Sequence, residues 1–197
     1  MVTVVKYNAG NVLSVVNALD RLNEKWIVSE DKDVILGSDR VIFPGVGSAK
    51  SAIDYLRANH LDETLKSVKA PFLGICLGQQ LMASFSEEGN VPLLNIFDAK
   101  VTKFDSTLGD KVPQIGWNTI NYGDNPLFYN LPKVAYCYFV HSYYVPQCKQ
   151  TIATCDYCGV SFSAALNYKN YYGVQFHPEK SGKIGNQILK NFLELKC

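Results

Sequence analysis

From Val2 to about Val91 the chain alternates between strand-like and helix-like stretches, and this alternation limits the fold more than any other feature of the sequence. VTVVKY, Val2 to Tyr7, is rich in β-branched residues, and Val12, Val15, Val16, Leu19 and Leu22 then recur at helical spacing. WIVSE and RVIFPG read as further strands. Ser48 reads as the cap of a helix through SAKSAIDYLRA, and APFLGIC as a strand entering a helix near Leu77. Strands separated by helices imply right-handed crossovers, so this half predicts an α/β fold with a parallel sheet.

Beyond Val91 the pattern is strand-rich: LLNIFDAKVTKF, GWNTINY, VAYCYFVHSYYV, TIATCDY and VSFSAALNYK, separated by Gly, Pro, Asn and Asp turn signals. GVQFHPEKSG then leads into an amphipathic helix whose apolar face is Ile184, Ile188, Leu189, Phe192, Leu193 and Leu195. With 197 residues, 47% of them hydrophobic, and no repeat or linker, the expectation is a single domain over 1–197.

Nineteen basic against eighteen acidic residues, without a basic block, argue against nucleic acid as a partner. No apolar run approaches the roughly twenty residues of a membrane span and no charged leader precedes a long apolar segment, so a soluble, cytoplasmic protein is expected. The cysteines, Cys76, Cys137, Cys148, Cys155, Cys158 and Cys197, make no disulfide framework in such a chain and are expected as thiols. Cys155 and Cys158 form a CDYC pair, but no second pair completes a metal site.

Cys76 stands apart. An apolar strand runs into Gly74-Ile75-Cys76-Leu77-Gly78 and then a helix, the arrangement of a nucleophile elbow, with glycines that let the backbone turn sharply. A helix N-terminus favours a thiolate and supplies N–H groups to an oxyanion. Free cysteine is also a common core residue, so the elbow alone leaves both readings open.

A nucleophile needs a base, and three histidines are available. His60 sits in a polar stretch at a helix end, and His141 within YFVHSYY reads first as a structural histidine. His177 ends the GVQF strand before Pro178 and Glu179, where alternation puts the carboxylate on the imidazole's face. Cys76 and His177 both fall at carboxyl ends of strands, where open parallel sheets bind ligands.

Together these residues resemble the class I (triad) glutamine amidotransferases. The nucleophile motif is matched by Gly74 through Gln80 and the His-x-Glu motif by His177-Pro178-Glu179. Within that family Pro44-Gly45-Val46-Gly47, Val112 through Asn118, Tyr138 through Tyr143 and His177 through Ser181 look like the glutaminase subunit of imidazole glycerol phosphate synthases. The resemblance implies a flavodoxin-like fold, a central mostly parallel sheet flanked by helices, with additional antiparallel strands in the C-terminal half. It implies a Cys76, His177, Glu179 triad and oxyanion donors from Gly45, Val46 and Leu77. Gly47, Gln80, Ser142 and Tyr143 would hold glutamine, and Asn11, Trp117, Tyr138 and Lys180 would face a TIM-barrel cyclase subunit in a heterodimer. It implies no metal and no cofactor, and ammonia passed to the cyclase in histidine biosynthesis.

The sequence departs from the family in two places. Lys6-Tyr7-Asn8-Ala9-Gly10-Asn11 lacks the usual acid and first glycine, and Gln114 stands where histidine is common, a difference that would alter pairing if the position met the partner. Other readings are an ammonia-supplying subunit in specialised sugar biosynthesis, the glutaminase of pyridoxal phosphate synthase, a catalytically silent subunit and a peptide-directed cysteine hydrolase.

Overall fold

The structure is a computed structural model that describes residues 1–8 and 11–195. Ala9 and Gly10 of the expected turn, and Cys197, lie outside the described residues.

The first half runs β1 (Val2–Val5), α1 (Val12–Arg21), β2 (Trp26–Ser29), α2 (Lys32–Leu36), β3 (Arg40–Gly45), α3 (Ala49–Ala58), α4 (Leu61–Ser67), β4 (Phe72–Cys76) and α5 (Leu77–Leu81). The second half is mostly strand: β5 (Phe85–Ser86), β6 (Val91–Pro92), β7 (Lys100–Lys103), β8 (Gln114–Tyr122), β9 (Ala135–His141), β10 (Tyr143–Tyr144), β11 (Thr151–Tyr157), β12 (Val160–Tyr168) and β13 (Tyr171–Val174). It closes with α6 (Gly182–Glu194). The main sheet has the order β2-β1-β3-β4-β13-β12-β11-β8-β9. Its first five strands are parallel, and β12, β11, β8 and β9 extend it antiparallel.

Side-chain alternation sorts the core into two layers. Val4, Ile42, Leu73 and Ile75 pack under α1 and α6 through Val15, Leu19, Ile188 and Phe192. Val41, Phe43 and Phe72 pack on the opposite face against Ile53, Leu56, Leu65 and Leu81 of α3, α4 and α5. Strands covered on both faces run nearly all apolar, as β4 does and as β1 does apart from Thr3, whose buried hydroxyl is paired with that of Ser38. Each fully buried Leu, Ile or Phe contributes roughly 2 kcal/mol, which makes this layering the main stabilising force.

Three expectations are corrected. Ser48 precedes α3 but makes no capping bond; the Glu88 carboxylate accepts from Ala49 N–H instead, at 2.7 Å. LLNIFDAKVTKF contains one short strand, Lys100–Lys103, after a turn. VAYCYFVHSYYV breaks at Ser142, and β10 leaves the main sheet to pair with β7 in the small sheet β10-β7-β5-β6. α2 and α4 are too short to show a helical period in the sequence. Among the described residues no helix is long and apolar enough to cross a membrane.

Candidate active site

Three neighbouring parallel strands deliver Gly45, Cys76 and His177 to one end of the sheet. Gly45 and Cys76 are paired in register where β3 and β4 end, and β13 pairs Val174 with Ile75 just before His177. The open space beyond strand ends is where such sheets place ligands.

Cys76 itself makes the elbow. Its backbone lies at φ 54°, ψ −109°, a conformation disfavoured for any residue with a side chain. The glycines, expected to make the turn, serve close packing instead. A Cβ on Gly78 would strike the Phe43 carbonyl, and one on Gly74 would meet Met82 and the backbone of α5.

His177 and Glu179 form a buried pair, Nδ1 to Oε1 at 2.8 Å. They meet through the 3-10 turn Pro178–Lys180 rather than through the strand alternation read from the sequence. Burial alone would lower the His177 pKa, but the nearby Cys76 sulfur and the Glu179 carboxylate outweigh it and lift the value to about 10. His177 Nε2 is buried without a hydrogen-bond partner, so Cys76 acts on it by proximity and the nitrogen stays free for a proton transfer.

The adjoining cavity, about 260 Å³, is walled by Val46, Gly47, Cys76, Leu77, Gln80, Ser142 and Tyr143. Gly45 is buried beneath it, while Val46 is 40% exposed and Gly47 takes φ 103°. Leu77 opens α5, in the first turn whose N–H groups have no intrahelical acceptor.

Sequence reasoning missed two residues near this cavity and read a third only as structural. Glu88 contributes a carboxylate to the wall from the turn between β5 and β6, and no motif marks it. Gln175, fully buried, donates from Nε2 to Cys76 Sγ at 3.6 Å. It lies two positions before His177, just past the end of β13, where no strand pattern marks it. His141 is structural, as read, but it also lines the cavity.

His141 Nδ1 lies 2.7 Å from the Tyr143 carbonyl and Nε2 lies 2.9 Å from Gln114 Oε1. The carbonyl only accepts, so the neutral ring carries its proton on Nδ1, and Gln114 gives Nε2 an N–H once its amide is turned end for end from that placement. Gln114 is 3% exposed, which removes it from any partner surface. Burial drives the His141 pKa down to about 4, with the Tyr143 carbonyl opposing and His177 adding to the fall. The two imidazoles are therefore pushed in opposite directions, one neutral and one charged at neutral pH.

A stability prediction follows for His141. The unfolded ring takes up a proton near pH 6.5 and the folded ring only near 4, so stability falls as pH drops through that window, by roughly 3 kcal/mol. Urea unfolding at pH 7 and pH 4.5 should show most of this loss in the wild type and little of it in His141→Gln. Equal losses in both chains would refute the assignment.

Asn11, Trp117, Tyr138 and Lys180 do not line the cavity. Trp117 and Tyr138 face each other across β8 and β9, with ring centroids 6.0 Å apart at 72°, and Lys180 Nζ lies 6.0 Å from the Tyr138 ring. Trp117 is 56% exposed, and Ile115 and Tyr136 add exposed apolar surface to the same hairpin. Asn11 precedes α1 and accepts from the Ser14 hydroxyl at 2.8 Å. This surface is tied to the imidazole through the backbone: His177 N–H donates to the Tyr138 carbonyl at 2.9 Å, and Ser181 bridges Tyr138 N–H and the His177 carbonyl. Cys155 and Cys158 are buried near β11, and burial pushes the Cys155 thiol up to about 12.

A family model described as glutamine amidotransferase class-I matches residues 6–195. The chain belongs to the class-I glutamine amidotransferase family. It is 51% identical over 195 residues to imidazole glycerol phosphate synthase subunit HisH of Bacteroides thetaiotaomicron, covering 98% of this chain and 99% of that one. The corresponding subunit of Mannheimia succiniciproducens is 47% identical over 192 residues, 97% and 98% of the two chains. Among solved structures, PurLQS from Thermotoga maritima superposes with a TM-score of 0.73 at 17% identity, covering 98% of this chain and 96% of that one, a likeness of fold. In this amidotransferase the fold thus brings Cys76, Val46, Leu77, Gly47, Gln80, Ser142 and Tyr143 to one cavity, places Gly45 and the buried His177–Glu179 pair at the same strand ends, and sets the predicted interface residues apart from the cavity.

Proposed function

We propose that this amidotransferase, one domain over 1–197, is the glutaminase subunit of an imidazole glycerol phosphate synthase, working in the cytoplasm beside a cyclase subunit in histidine biosynthesis. The observation that carries the chemistry is the buried His177–Glu179 pair with its free Nε2 beside Cys76 at the elbow. The choice of synthase rests on the two relatives, about half identical along nearly their whole length.

The cavity suits a small amino acid. Glu88 offers a carboxylate to the α-ammonium of glutamine, and Gln80, Ser142 and Tyr143 surround the rest. The Cys76 thiolate attacks the side-chain carboxamide, and the oxyanion that forms takes hydrogen bonds from Leu77 N–H and from an N–H of the Gly45-Val46-Gly47 strand. Val46, exposed and next to a glycine at positive φ, can turn its peptide with little steric resistance, and partner binding through β9 favours the turned form. His177, protonated at neutral pH, gives its proton to departing ammonia and then activates the water that hydrolyses the thioester to glutamate.

The exposed Trp117, Tyr138 and Lys180 surface receives the cyclase, with Asn11 at its margin. Reconstitution with a cyclase subunit of such a synthase tests the reading. Glutamate release from glutamine should rise about tenfold or more in the complex, the scale of an ordinary coupling energy. Absence of glutamate with and without the cyclase would refute it.

A further inference from the structure

Behind the cavity wall lies a row of buried amides whose polarity is fixed from one end. Gln80 is 5% exposed and Gln175 0%. Gln80 Nε2 stands 2.7 Å from the Tyr143 carbonyl and 2.9 Å from the Gln175 side-chain oxygen. A backbone carbonyl only accepts, so the Gln80 atom facing it is its NH₂ group. That group donates both hydrogens, so the Gln175 atom beside it has to accept. Gln175 therefore turns its own NH₂ toward Cys76 Sγ, 3.6 Å away. Both amide orientations follow from the direction of the Tyr143 carbonyl, with no freedom to flip.

Two consequences follow. The sulfur receives an N–H from Gln175, while its own S–H faces the Val140 carbonyl at 3.8 Å. A thiol can use that carbonyl as an acceptor, whereas a thiolate uses the Gln175 donor, so the amide favours the charged form. Gln80, having given both hydrogens to the protein, offers a ligand in the cavity only its oxygen, and so selects for a donor on the substrate.

We propose that Gln175 is a catalytic residue of the glutaminase reaction: it hydrogen-bonds the Cys76 thiolate and, through its oxygen, locks Gln80 as an acceptor toward substrate. This rests on the reading of Cys76 as the nucleophile. The other titratable groups around the sulfur are Tyr7 just after β1, His177 with Glu179 behind it, His141 at the end of β9 and Glu88 from the β5–β6 turn. None of them is altered in the variants below, so a difference isolates the amide.

The test is the pH profile of Cys76 alkylation by iodoacetamide, read on the Cys76 peptide by mass spectrometry, in the wild type, Gln175→Met and Gln80→Leu. Gln175→Met should move the profile up by about one pH unit, slow alkylation about tenfold at neutral pH and lower kcat for glutamine more than it raises KM. Gln80→Leu keeps the Gln175 amide but frees it to rotate, so its profile should move the same way by less, with a larger rise in KM. Profiles that coincide with the wild type in both variants, whatever happens to their thermal midpoints, would overturn the role and leave Gln175 as packing. Glutamate release by the wild-type complex is followed in parallel. Its absence would overturn the nucleophile reading itself, whereas its presence with unmoved profiles would overturn only the assignment of Gln175.

Discussion

Cys76→Ala is expected to abolish glutamine-dependent turnover, by about 10⁴-fold or more, and to leave ammonium-dependent turnover of the cyclase complex intact. A loss of that size is about 5.5 kcal/mol of transition-state stabilisation, far more than any binding contact in the cavity supplies. Without the sulfur no thioester forms, and no other side chain on the cavity wall is placed to replace it. Its walls, however, keep Gln80, Glu88, Ser142 and Tyr143, so glutamine binding should persist. Alanine can occupy the φ 54° conformation as poorly as cysteine does, so the fold should be neither relieved nor further strained. The measurement pairs two assays on one complex, glutamate release from glutamine and cyclase product formed from added ammonium. Loss of both with the complex still assembled would refute the division of labour, because it would place Cys76 in something other than ammonia supply.

Much of this site was legible in the sequence because its parts sit at element boundaries with strong local signals. The apolar FLGIC run and the helical register after it locate Cys76, and His177-Pro178-Glu179 breaks a strand where a base is needed. The parallel half was legible for a related reason: strands buried on both faces run nearly all apolar. What escaped is non-local. Nothing near Glu88 in sequence says that it caps α3 and faces the cavity, since both depend on where the β5–β6 turn of the small sheet packs. Gln114 read as a difference from relatives that would alter pairing if the position met the partner, yet the β8–β9 register puts it opposite His141 and it is buried. The break at Ser142 was hidden inside a uniformly strand-like run, and only the pairing of β10 with β7 shows where the chain leaves the main sheet. Motifs thus located the candidate residues, whereas the charge states of the two imidazoles depend on burial and neighbours that no local pattern encodes.

Gly78→Ala tests how the elbow is held and is expected to be the most damaging single methyl in the site. Alanine is the better helix former by about 1 kcal/mol, so propensity in α5 predicts a gain. Packing predicts the reverse, because the added Cβ would drive into the Phe43 carbonyl of β3, a backbone group that cannot rotate aside. The clash is relieved only if α5 moves off the sheet, which costs about 3 kcal/mol in a packed core. That movement also carries Leu77 N–H and Cys76 away from Gly45, with which Cys76 is in register. Misplacement by about 1 Å is enough to cost roughly 10²-fold in rate, so glutaminase activity should fall by that much even at temperatures where the variant stays folded. Gly123→Ala is the control: its Cβ would meet nothing within 4 Å, and stability and activity should hold near the wild type. Urea unfolding and glutaminase assays on the three chains decide the matter. A Gly78→Ala chain as stable and active as Gly123→Ala would mean that α5 is not pressed against β3, and that something other than this close approach holds Cys76 in its disfavoured conformation.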